Sequence, residues 1–352
     1  MFRCVHCVLR AAGVGGGEAA RSLAAEWVSL AGSSVADSSA GVYATGLRRF
    51  LAFAGTELQI SEDLALPPGR MGQINPFVVC LFLTHCVRRR RLAFKTVEGN
   101  VSALADWQRS KGLSGEELIS QHPMVKRGLR ILKRGCGGAQ QKATLPLAVL
   151  RQLVVWLFLT SRQHTKRLEE CSRDACWLVL GFFGMLRRSE LAALTLADVG
   201  QLRPEGPVVL SVRSSKTDQQ AVGADVHLAA LTASGVPIGR IVSRYVQCRR
   251  ARGAGEADAL FASVLQPRAG LSRSWFTQRL RTLLQAMWEG KAGAPDVTRF
   301  SAHSLRRGGA TAAASAGASI EDIKAHGRWK SDIVRVYIRK SPAQRRKLVA
   351  CM

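Results

Sequence analysis

The residues able to do chemistry gather near the end of the chain. His303 and Arg306 stand three apart in His303-Ser-Leu-Arg306-Arg-Gly-Gly-Ala-Thr311, and Tyr337, one of only three tyrosines, follows within 35 residues of His303. Far upstream, Gly184-Met-Leu-Arg187-Arg-Ser-Glu190-Leu supplies a further arginine. These types answer the demands of breaking a phosphodiester without a metal. Charge grows on the nonbridging oxygens in the transition state, and planar guanidiniums meet it with paired, charge-assisted donors. A phenol is a weak nucleophile at its ordinary pKa of about 10, but nearby positive charge improves it. The departing oxygen needs an acid.

Elements must bring these residues together. On a helix, His303 and Arg306 share one face. Helices expected over 303–316, 319–326 and 331–341 are close enough in sequence for Tyr337 to fold back on them. Further helices are expected near 146–161, 173–186, 236–250 and 272–288. A strand at 208–213, a turn at 214–220 and a partner strand at 222–228 form the only expected β unit. Thr144-Leu-Pro146 is a cap followed by proline and opens this second region.

The N-terminal part has helical periodicity only, with helices expected near 20–31, 39–55, 75–90, 95–111 and 122–134. Asn75-Pro76 is its strongest start signal, and Ser38-Ser39 and Thr96 are others. The organisation that follows is a disordered tail over 1–19, an all-α domain over 20–134, a glycine-rich linker over 135–143, and a second domain over 144–352. The fold class is mainly α with a small antiparallel β unit. There is no internal repeat.

Lys and Arg total 51 against 25 Asp and Glu, a net charge of +26 over 352 residues. That field attracts polyanions, which makes nucleic acid the expected partner over a membrane surface. The nine cysteines form no framework, an odd count that fits a reducing compartment. Cys4-Val-His-Cys7 lacks a downstream Cys/His pair at zinc spacing, so no zinc site is expected. No apolar run reaches the roughly 18 residues of a membrane helix. The start carries no acid before Glu18, a faint transit-peptide character set against a plain tail. Arg88 to Arg91 could grip phosphates, act as a nuclear address, or end a helix whose macrodipole favours cations there. Lys126-Arg127, Lys133-Arg134 and Arg249-Arg-Ala-Arg252 are similar runs.

The second region resembles the catalytic domain of the tyrosine recombinases, the phage integrase family. Gly184 to Leu194 with Asp198 is similar to the family's first arginine box, His303-Ser-Leu-Arg306 to its second, and Gly327-Arg-Trp329 through Tyr337 to its last. The Arg-Arg-Gly-Gly-Ala-Thr and Gly-Arg-Trp-Lys-Ser-Asp wording is most similar to recombinases of eukaryotic DIRS-like and Crypton mobile elements. The resemblance covers roughly 145–341, and 20–134 resembles the family's SAM-like core-binding domain.

The resemblance implies site-specific cutting and rejoining of double-stranded DNA through a 3′-phosphotyrosine. It implies a homo-tetramer on two duplexes, no metal and no cofactor, no membrane, and nuclear action in a eukaryotic host. It makes Arg187 and Arg306 the clamp, His303 a phosphate donor, Tyr337 the nucleophile, and Lys216, at the hairpin tip, the general acid. Glu190 and Asp198 orient basic groups, and Arg307 points away. The family has His or Trp nine residues before the tyrosine. That position here is Arg328, and Trp329 stands eight before, so either could complete the phosphate cage, with Trp329 preferred; His326 is read as a local helix-end residue. The alternatives are a type IB topoisomerase and a catalytically silent DNA-binding relic of a mobile element.

Overall fold

The computed structural model describes residues 17–32, 37–67, 72–136, 142–163, 167–213, 223–266 and 268–337. The chain divides into two compact units, Met1–Gln140 and Gln141–Met352. Among the described residues no helix is long and apolar enough to cross a membrane.

The regular elements described in the first unit are all helical: α1 (Glu18–Gly32), α2 (Asp37–Glu57), α3 (Glu62–Ala65), α4 (Pro76–Thr84), α5 (Phe94–Ser110) and α6 (Pro123–Gly135). α1 begins inside the segment read as a tail. α4 starts where Asn75 predicts, its side chain accepting a hydrogen bond from Phe77 N at 2.9 Å, with Pro76 in the first turn. It runs into a π-helical turn, His85–Arg89, and Arg91 leaves it with φ of 49°. α2 crosses α5 closely at Gly46, where a Cβ would lie 2.7 Å from that of Ala103. Phe50, Phe53, Phe82, Leu83, Val97, Leu104 and Val125 fill the core, with Phe50 edge-on to Phe82 at 5.3 Å. The cations lie outside. Arg88, Arg89, Arg90 and Arg91, and on α6 Lys126, Arg127, Arg130, Lys133 and Arg134, are all exposed.

The second unit is built around α8 (Leu168–Phe183), which packs against α7 (Leu147–Gln163), α10 (Ile238–Ala251) and α12 (Ala302–Ser315). α8 is buried from Cys171 to Phe182, as expected of a helix with no solvent face. Its two buried charges are paired: Asp174 accepts from Arg173, from Trp177 Nε1 at 3.2 Å, and from Arg279 Nε at 2.8 Å. That last bond ties α8 to α11 (Trp275–Trp288). β1 (Val208–Val212) and β2 (Ala224–Leu228) form one antiparallel pair, in register from Val208 opposite Leu228 to Val212 opposite Ala224. The short α9 (Arg188–Ala193) and the 3-10 turn Leu196–Asp198 follow α8. Both are too brief to show a period in the sequence. α13 (Ile320–Gly327) and α14 (Val334–Tyr337) complete the described unit.

Two boundaries shift in ways that matter. The helix expected over 173–186 covers Leu168–Phe183 and stops at Gly184, so Arg187 caps the start of α9 instead of trailing α8. The helix expected over 331–341 is described only over Val334–Tyr337. The hairpin tip with Lys216, and the tail from Ile338 onward, lie outside the described residues.

Candidate active site around the turn between α8 and α9

A helix ends with carbonyls that lack intrahelical partners and carry the negative pole of its dipole. The last turn of α8 and the residues after it point such carbonyls at the C-terminal segments. Phe183 O is 2.7 Å from His326 Nε2, Gly184 O accepts a long contact of 3.5 Å from Arg328 Nη1, and Met185 O accepts from Arg306 Nη1. His326 does stand in the last turn of α13, and its ring also reaches back across the unit to the end of α8.

Glycines make this approach possible. A Cβ at Gly308 would lie 2.3 Å from Leu145 O, and one at Gly309 would lie 2.0 Å from Phe182 O. Any side chain there would lift α12 off the end of α8. The Gly-Gly pair after Arg306-Arg307 is thus what seats Arg306 against the turn.

Glu190 gathers the arginines. Its side chain is 1% exposed, and Oε1 accepts from Arg187 Nη1 at 2.6 Å. Oε2 accepts from the Arg187 backbone N–H at 2.8 Å and from Arg328 Nη2 at 2.9 Å. Arg306 Nη1 stands 4.0 Å from it. Burial pushes this carboxyl up, but the Arg328 charge and the Arg187 donors outweigh it and hold the group below its ordinary value.

Arg306 is 1% exposed. Its Nη2 donates to Gly327 O at 2.5 Å, and its guanidinium lies 4.2 Å from the ring centre of Trp329. Trp329 itself is 8% exposed and packs with Met185, Ala310, Ile323 and Val334. The indole therefore forms a floor under Arg306, an interaction worth about 2 kcal/mol where desolvated. Val334 of α14 belongs to the same cluster, so the turn that carries Tyr337 is docked onto the floor of the site.

His303 and Arg306 share a helix but not an environment, because His303 is exposed while Arg306 is interior. Protein crowding, and then the charges of Arg306, Arg307, Arg187 and Arg188, push the His303 pKa down to about 4. The ring is neutral at pH 7, with one N–H to donate and one nitrogen to accept. Arg307 turns away, donating to Lys142 O at 2.7 Å. Asp198 holds the base of the hairpin, accepting from Thr195 N at 2.8 Å and from Arg213 Nε at 2.5 Å.

Arg187, Arg306 and Arg328 thus meet at Glu190, Trp329 and the turn leading to Tyr337 pack beneath Arg306, and His303 stands within reach of the arginine charges. Arg187, with 18% of its side chain exposed, and His303 form an outer tier; Glu190, Arg306, Arg328 and Trp329 form an inner one. Arg328 was legible only as an alternative phosphate ligand, because its carboxylate partner lies 138 residues away.

With the geometry of this arginine-lined turn described, the chain can be compared with known proteins. No protein-family profile matches the chain. It is 26% identical over 244 residues to an integrase/recombinase xerD homolog of Selenomonas ruminantium, covering 69% of this chain and 67% of that one. Its fold is similar to that of XerH site-specific recombinase bound to a palindromic difH substrate in a post-cleavage complex. The TM-score is 0.62 at 15% identity, with 88% of this chain and 78% of that one covered. It is also similar to a lambda integrase dimer bound to a COC′ core site, with TM-score 0.55, 14% identity, and 89% and 92% covered. The chain is thus similar in sequence to an integrase/recombinase and similar in fold to site-specific recombinases.

Proposed function

We propose that this protein is a site-specific recombinase that cuts and rejoins double-stranded DNA through a 3′-phosphotyrosine. The observation that carries the reading is the gathering of Arg187 and Arg306 at the buried Glu190 carboxylate, with His303 within reach of their charges and the turn that leads to Tyr337 packed through Val334 on Trp329 beneath Arg306. The Tyr337 phenol oxygen bonds to phosphorus as the bond to the 5′ oxygen breaks. The phenol proton passes to solvent, and the departing oxygen takes a proton from Lys216. Arg187 and Arg306 stabilise the charge that grows on the nonbridging oxygens, and neutral His303 donates a hydrogen bond to one of them. Trp329 supports Arg306 from below. The reverse attack, by a 5′ hydroxyl of a partner strand, restores the phosphodiester and frees the tyrosine.

Exchange between two duplexes calls for four active sites, so the working form is a homo-tetramer. The basic first unit holds the backbone, through Arg88 to Arg91 and the cations of α6. The Gly327-Arg328-Trp329 wording supports kinship with DIRS-like and Crypton elements, and in a eukaryotic host the protein acts in the nucleus.

A nicked suicide duplex tests the reading. Wild type should form a covalent protein–DNA adduct and Tyr337→Phe should form none while binding DNA as tightly. An adduct with the Phe variant would remove Tyr337 as nucleophile. Relaxation of a supercoiled plasmid without recombination of paired sites would point to a topoisomerase instead, and no adduct from wild type would point to a silent relic.

A further inference from the structure

Gly327, Arg328 and Trp329 each do a different thing. A Cβ at Gly327 would lie 1.9 Å from the Trp329 ring, so glycine is what allows the indole to fold back beneath Arg306. Arg328 adopts the left-handed conformation, φ 57° and ψ 45°, which costs a non-glycine residue about 1 kcal/mol or more. That backbone sends two successive side chains to different partners. Trp329 goes to the Arg306 guanidinium, and Arg328 goes to Glu190.

Arg328 does not face solvent. Its side chain is 11% exposed, and Nη1 donates to His326 O at 3.1 Å while Nη2 holds Glu190 Oε2 at 2.9 Å. Glu190 in turn fixes both the backbone and the guanidinium of Arg187. A carboxylate this buried stays charged only while it is paired. The groups that face it are Arg187 at the start of α9, Arg306 from α12 and Arg328 after α13, with His303 and Arg188 beside Arg187 and His326 beside Phe183 O.

We propose that Arg328 is a positioning residue: it clamps Glu190 from behind, so that Glu190 aims Arg187 at the phosphate, and it does not touch the DNA. This rests on the reading of Arg187 as a phosphate ligand. It takes Arg328 out of the set of phosphate ligands, because its guanidinium is committed to Glu190 and to the His326 carbonyl. Arg328 is also the foremost charge holding Glu190 ionised against burial. Without it the carboxyl rises, takes a proton at higher pH, and lets Arg187 go.

The test uses the full chain with Arg328→Met, Arg328→Lys, Glu190→Gln and the Arg328→Met/Glu190→Gln double variant. Single-turnover cleavage of the suicide duplex is followed from pH 5.5 to 9. Arg328→Met should slow cleavage roughly tenfold to a hundredfold, the range shown by coupled neighbours. Its acid limb should move to higher pH, and its DNA affinity should stay within about twofold of wild type. Arg328→Lys should recover most of the rate and the wild-type profile. The double variant should be little slower than Glu190→Gln alone. Additive losses, an unmoved acid limb, or a large loss of DNA affinity in Arg328→Met would each overturn the proposal, the last by making Arg328 a DNA ligand. The Arg328–Glu190 coupling is read separately from thermal unfolding of the same four proteins. No coupling there overturns the proposal whatever the activity, while a wild type that forms no adduct sinks the recombinase reading alone.

Discussion

Among the described residues both units expose arginines, but only the second buries any. In the first, Arg88 to Arg91 and the cations of α6 stand exposed on a helical surface, where their charges add to a field that any polyanion can share. In the second, Arg173, Arg249, Arg306 and Arg307 are buried, and each has a fixed oxygen partner. An exposed guanidinium keeps its water and its rotamer freedom. A buried one has lost both, and only specific acceptors can offset that. The first arrangement suits grip without register, and the second suits placement of donors to within a fraction of an ångström.

The largest effect should separate these uses cleanly. Arg306→Ala leaves Met185 O and Gly327 O without their donor and removes the group stacked on Trp329. It should slow cleavage at least about a hundredfold and destabilise the second unit by about 3–5 kcal/mol. Single-turnover kinetics and denaturant unfolding check the two losses. Arg187→Ala, at the outer tier, should lose a similar factor in rate with much less loss of stability; equal destabilisation by the two variants would erase the distinction between tiers.

Next in size is the response of the exposed cations. Replacing Arg89 and Arg90 by alanine should weaken DNA binding and flatten its salt dependence, by about 0.9 in log–log slope for each phosphate no longer neutralised. Each should change folding stability by no more than about 0.5 kcal/mol, and the cleavage rate of saturated complex should stay as in wild type. A changed saturated rate would mean that this run helps to build the site.

The smallest effect concerns His303. Its folded pKa, about 4, lies below the ordinary value of 6.5. The unfolded chain therefore binds more protons between those values, and stability must fall as pH drops from about 6.5 to about 4. His303→Gln should make the unfolding midpoint less sensitive to acid across that window. Equal sensitivity in both proteins would show that neither desolvation nor the arginines around the ring lower its pKa in the folded protein. Glu190 adds to the same acid loss at lower pH, since its depressed carboxyl stabilises the fold only while ionised.

Much of the frame can be read in local pattern. Helical periodicity, the Asn75-Pro76 start and the alternation of Val208–Val212 are written into short windows, so the helices and the hairpin follow from them. α9 is not legible, because six residues make less than two turns. The residue types at the site are legible for the same reason as the helices, since Arg187, His303, Arg306 and Tyr337 stand in compact boxes.

What the sequence by itself determined is therefore which residues are near one another along the chain. Which of two neighbours does the work was decided by the tertiary structure. Arg306 turns to Met185 O and Arg307 to Lys142 O, though they differ by one position. Past the end of α13, the left-handed backbone at Arg328 parts two more neighbours, Arg328 to Glu190 and Trp329 to Arg306. One step along a helix rotates a side chain by about 100°, so adjacent residues meet different surroundings. Several of those surroundings come from segments more than a hundred residues away, Gly184 to Glu190 above all, and only the packing of α12 and α13 against the end of α8 brings them into reach.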